Sequence, residues 1–138
     1  MNGERGSTTI WMLGLSLLLL LFGGLALDFW RGLALQRELA AVADSAAIAG
    51  ASGIDEVVYR STGEVVLDPV RAREMAMASV DFQGVSLTSA EIEVAPDGST
   101  VSVSIRAALE LGLLGVFIDD DSPLEVGASS VAGPLLVP

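Results

Sequence analysis

The chain has no cysteine and no histidine, and all seven of its basic residues are arginine, so lysine is absent as well. Without cysteine there is no disulfide, no thiolate nucleophile and no thiolate metal site. Without histidine the usual imidazole base and the commonest zinc ligand are missing. Without lysine there is no Schiff-base nucleophile, because an arginine guanidinium stays protonated. Aromatics are scarce at 5%, with a single tyrosine, Tyr59. Only carboxylates, hydroxyls and that phenol remain for chemistry, and the composition points away from an enzyme.

Positive charge is scarce too. Residues 1–51 carry three Arg against four acids, and residues 52–138 carry four Arg against fourteen, so of the net −11 all but one unit lies in the C-terminal part. Such a domain has no basic patch for nucleic acid, nor a polybasic face for anionic lipid. Mutual repulsion that keeps the domain soluble explains the charge.

Apolar residues, by contrast, make up 51% of the 138. The mean hydropathy of +0.61 is high for a small soluble domain. The excess is concentrated. Ser7 to Leu27 contains no formal charge and nine Leu, including the run Leu17–Leu21. As a helix these residues reach about 31 Å, the hydrocarbon thickness of a bilayer. At roughly −0.5 kcal/mol per central Leu, the leucines alone favour insertion by about 4 kcal/mol. Trp11 and Trp30 flank the run, where indoles favour the membrane interface. A buried core helix would need a larger core than this chain can build. A cleaved signal peptide would be shorter and end in small residues, whereas here Asp28, Phe29, Trp30 and Arg31 follow. The segment is therefore expected to be a retained transmembrane anchor. Residues 1–6 form the short head, expected in the cytoplasm, and the C-terminal domain lies on the far side.

The helix is expected to run on through residues 28–51, which are rich in Ala, Leu, Gln, Arg and Glu. Leu35, Leu39, Val42, Ala46 and Ala49 recur at the spacing of a packing seam, with Arg37 and Ala41 facing outward. The seam can pack on the chain's own domain or on another chain, since small residues permit close helix approach. Gly50 and Gly53 mark the stop, giving one helix of about 43 residues and 64 Å.

Residues 52–138 read as a small acidic α+β domain. Val57–Tyr59 and Val65–Leu67 around Ser61-Thr62-Gly63 suggest a hairpin. Asp68-Pro69 has the form of N-cap and N1 of a helix running to about Val80, with Val70, Met75 and Met77 among its apolar residues. Ser89–Val94 and Thr100–Arg106 alternate about the turn signal Pro96-Asp97-Gly98 and predict a second hairpin. Leu111–Phe117 reads as a helical turn or crossover, and Leu124–Val131 as a last strand.

Few residues suggest a site. Asp119-Asp120-Asp121 lacks the alternating ligands of a calcium loop and reads as a solvated loop. Asp97-Gly98-Ser99 reads as a turn. Glu91 and Glu93 share a strand face, but ordinary alternation accounts for them. Gly3 and Gly6 lack the context of a phosphate loop. No metal, cofactor, nucleic acid or small-molecule substrate is expected.

One stretch is more specific. It runs from Glu4-Arg5-Gly6-Ser7 through the apolar run to Gly24, Leu27-Asp28 and Arg31. It then takes in Leu35-Gln36-Arg37 with Leu39, and ends in the block Ala43-Asp44-Ser45-Ala46-Ala47-Ile48-Ala49-Gly50-Ala51. This resembles the N-terminus of TadE/TadG-like proteins of tight-adherence (Flp) pilus systems. Gly6, Asp28, Arg31 and Asp44 stand at family-like positions. The resemblance implies a pseudopilin-like or minor pilin-like subunit of the bacterial inner membrane, with its C-terminal domain periplasmic. Its partners would be membrane lipid and other pilin-like or pilus-assembly proteins, bound through the long helix. Pilin-type members carry a Glu five residues after the Gly at which the peptidase cuts. Counted from Gly6 that position is Trp11, so the pattern is nearer TadG-like than TadE-like members. The other reading is a membrane-tethered periplasmic scaffold or binding module of a different envelope complex.

Overall fold

The computed structural model describes residues 4–112, 115 and 123–134. Its element order is α1 (Glu4–Ala51), α2 (Glu56–Thr62), α3 (Pro69–Gln83), β1 (Ser89–Val94), β2 (Val101–Leu109) and β3 (Leu124–Ala132). The fold is α+β.

Helix α1 is a single element of 48 residues, which at 1.5 Å per residue is about 72 Å long. No proline interrupts it, and its glycines, the adjacent Gly23 and Gly24 included, sit among strong helix formers. It has two unlike halves. Its most apolar stretch, in the first half, has a mean hydropathy of 2.3 and none of it is buried; Leu13, Leu15, Leu17–Leu21 and Leu27 are all exposed. The second half is the spine of the domain, with Leu39, Val42, Ala43, Ala46 and Ala47 buried. The helix stops where Ser52 and Gly53 donate to the carbonyls of Ala49 and Gly50.

Residues 57–67 do not form the expected hairpin. Val57–Tyr59 lies in helix α2, and only Ile54 and Leu67 form a β-bridge. The capping residues explain this. The Asp55 carboxylate accepts from the Val57 and Val58 N–H groups, and Gly63 closes the helix at φ 75°. Glu56 pairs with Arg60 one turn on at 3.3 Å. Caps and the i,i+4 pair outweigh the weak strand preference of two valines and a tyrosine. The domain therefore has two helices after α1, where one was expected.

Helix α3 starts as the sequence indicates, with Asp68 as N-cap and Pro69 following, and runs on to Gln83 before Gly84 ends it at φ 64°. Its buried face is Ala72, Ala76 and Val80, while Val70 and Met77 are exposed. The small residues let α3 approach α1 closely. A Cβ on Gly50 would meet the Ala76 Cβ at 3.2 Å, and one on Gly53 would meet the Ala72 N and Cα at 2.7 Å. Gln83 Nε2 adds a polar link, donating to Ser45 Oγ at 2.7 Å.

The three strands form one antiparallel sheet, β1-β2-β3. Ile92 pairs with Val103 and Val103 with Ser130. Alternation sorts the faces. Val101, Val103, Ile105 and Ala107 of β2 are buried with Ile92 of β1, and Val126, Ala128 and Ala132 of β3 pack against them. Glu91 and Glu93 are exposed, as their alternation indicates. Helix α1 lies across β2 and β3, and α3 lies beside it against β1. The result is two layers, with α1 and α3 on one face of the sheet, and among the described residues no element covers its other face. The Asp119–Asp121 cluster and most of Leu111–Phe117 lie outside the described residues.

Candidate functional site

Leu39, Val42 and Ala46 are at most 2% exposed, beneath the sheet and α3; Leu35 and Ala49 are half-buried at the ends of the same seam. Ala43, Ala47 and Gly50, adjacent on the helix, are buried too, so the covered stripe is wider than the five residues read from the sequence. The chain's own domain thus occupies the seam. Arg37, Ala41 and Asp44 point away from it and are exposed, and Gly6 lies in the first turn of α1.

Asp28 and Arg31 belong to a second feature, at the junction between the halves of α1. Asp28 follows the uncharged run, yet it is only 4% exposed. Its Oδ1 accepts the Gly112 N–H at 2.9 Å. Arg31 Nη1 stands 3.8 Å from the same oxygen, with 62% of its side chain exposed. A buried carboxylate is costly unless bonded, and here a backbone amide just past β2 helps to satisfy it. Gly112 permits this close approach: a Cβ there would lie 2.8 Å from Asp28 Oδ1 and 3.1 Å from Arg31 Nη1, so the pair would have to shift. Gly32 leaves room for Leu109, whose Cδ2 would touch a Cβ at 3.4 Å. Beside this knot runs an apolar groove of about 500 Å³. Leu25, Phe29 and Leu33 of α1 form one wall, and Leu109, Leu124 and Val126 form the other. The buried acid and the groove were not visible in the sequence. A lone acid directly after an uncharged run was the one available signal.

Residues 6–53 match the Tad family model, Flp pilus-assembly TadE/G-like. The match spans nearly all of α1 and the turn to Gly53, and therefore includes both the Asp28–Arg31 pair and the covered seam. The Tad match coincides with the stretch whose resemblance was read from Gly6, Asp28, Arg31 and the Ala-rich block. The sheet and α3 lie beyond it. No curated protein and no solved structure matches the chain.

The remaining polar features are surface features. Asp97 accepts from both the Ser99 hydroxyl, at 2.7 Å, and the Ser99 N–H, at 3.0 Å. These bonds, the hydroxyl first, hold its carboxyl below its ordinary value. They build the β1–β2 turn. A shallow cleft of about 490 Å³ places Arg73 near Glu93 and Ser102, and Arg73 Nε donates to the Ile92 carbonyl at 3.4 Å. Among the described residues no group of three or more carboxylates converges as a metal site would require.

Proposed function

We propose that the chain is a membrane-anchored accessory or minor pilin-like subunit of a Tad (Flp) type pilus or a related secretion machine. It would act through helix packing and protein contacts, without turnover. The observation that carries this reading is the coincidence of the Tad match with α1. A helix whose first half exposes Leu13 to Leu27 without a covering surface needs an apolar surrounding, because water would charge about 25 cal/mol for each Å² left bare. A bilayer, or the helices of other pilin-like subunits, supplies that surrounding.

In this reading residues 1–6 are the cytoplasmic head, 7–27 cross the inner membrane, and 28–51 carry the periplasmic domain of residues 52–138. The lack of a Glu at position 11 favours a TadG-like member that the pilin peptidase leaves uncut. Because the domain already covers the 39–47 seam, the surface left for partner helices is the exposed apolar half of α1. Deletion of the chain followed by counting of surface pili tests the proposal. Loss or shortening of pili is expected, and unchanged piliation and adhesion would reject it. Co-purification in mild detergent with the pilus platform proteins separates this reading from a scaffold of another envelope complex.

A further inference from the structure

We propose that the junction groove is a phospholipid site, with an acyl chain between α1 and the end of the sheet and the lipid phosphate at Arg31. The proposal rests on the membrane-anchor reading and extends it. The groove is apolar on both walls, and it is continuous with the bare surface of the apolar half of α1 through Leu25 and Phe29. Its level is fixed by the helix. Asp28 is the first charge after the uncharged run, and Leu25 to Leu33 rise about 12 Å along the axis. The interfacial layer of a leaflet is about 5–7 Å thick, so the groove opens in hydrocarbon and crosses the headgroup layer.

Arg31 is the first cation beyond the run, and most of its side chain is exposed. Asp28 engages it only at 3.8 Å while bonding Gly112, which leaves its N–H fork open to a phosphate. A second copy of the chain fits the groove less well, because it would bring residues 52–138, net −10, against an equally acidic surface. With no linker between the apolar half of α1 and the domain, the groove requires the membrane-facing end of the sheet, at Leu109 and Leu124, to rest in the headgroup layer. The domain then lies against the bilayer and does not stand off on a stalk.

The test uses the full-length chain in phosphatidylcholine nanodiscs, with bromine carried near the glycerol end of one acyl chain. Trp11 and Trp30 are replaced by Phe, and a single reporter is introduced as Leu124→Trp or, in a second variant, Phe29→Trp. Both positions are already well exposed, at 53% and 74%. Both reporters are expected to lose most of their fluorescence to brominated lipid. Val131→Trp, seven residues further along β3, is expected to keep its own. Arg31→Gln is expected to weaken quenching of the Leu124→Trp reporter. Unquenched Leu124→Trp beside a quenched single Trp11 would overturn the lipid site and leave the anchor standing. Failure to quench Trp11 as well would remove both. Disulfide-linked dimers of Leu33→Cys, in a chain without native cysteine, would assign the groove to a second copy and overturn the proposal.

Discussion

The Gly112 amide donates to the Asp28 carboxylate across 2.9 Å and 84 positions of sequence. This bond ties the end of the central strand to the point where α1 changes from bare to covered. Asp28→Leu is expected to leave that amide without its acceptor, costing about 1–3 kcal/mol locally. Asp28→Asn keeps an oxygen in place and should cost less. Hydrogen exchange at the Gly112 amide reads the difference. Equal protection in all three proteins would contradict the assignment.

The contact between α1 and α3 gives a second prediction. Gly53→Ala places a methyl 2.7 Å from the Ala72 backbone, whereas Gly63→Ala meets nothing within 4 Å and suffers only from its φ of 75°. Gly63→Ala should cost about 1 kcal/mol, and Gly53→Ala clearly more, since backbone cannot move aside as a side chain can. Urea unfolding in detergent, followed by circular dichroism, ranks the two.

Leu39 is fully buried and Leu18 is half exposed. Leu39→Ala should destabilise the domain by about 2–5 kcal/mol. Leu18→Ala should leave the domain's unfolding midpoint unchanged, because the domain does not pack on it.

The β1–β2 turn carries a pH dependence of definite sign. The Asp97 carboxyl is held below its ordinary 3.8 by the Ser99 hydroxyl first and then the Ser99 amide. A depressed folded value means a contribution present above the unfolded pKa and lost as pH falls through the folded one. The turn should therefore loosen only in acid, below the ordinary carboxylate range. NMR titration of Asp97 should show a midpoint below 3.8, moved back towards it by Ser99→Ala. An unshifted midpoint in both proteins would contradict the turn geometry.

Legibility in the sequence followed the range of the interactions. The long helix was readable because leucine density and the 35–39–42–46–49 spacing are local patterns. Asp68-Pro69 and Pro96-Asp97-Gly98 set a helix start and a turn through neighbouring atoms alone. Helix α2 runs against its local signal because Val57, Val58 and Tyr59 favour strands, while Asp55 and Gly63, the residues that decide, stand outside the run. The inner face of α3 is faint in the sequence because Ala72 and Ala76 carry little hydrophobic signal; they are buried through close approach to Gly50 and Gly53. The Asp28 knot depends on a partner 84 residues away, and its one local trace is a lone acid directly after the uncharged run.

The central claim is that α1 is one rod, held in lipid along its bare half and built into the domain along the other. Alkaline carbonate extraction of membranes from cells producing the full-length chain tests it most directly. The account predicts that the chain stays with the membrane pellet and is released only by detergent. Recovery of the intact chain in the aqueous fraction without detergent would contradict it.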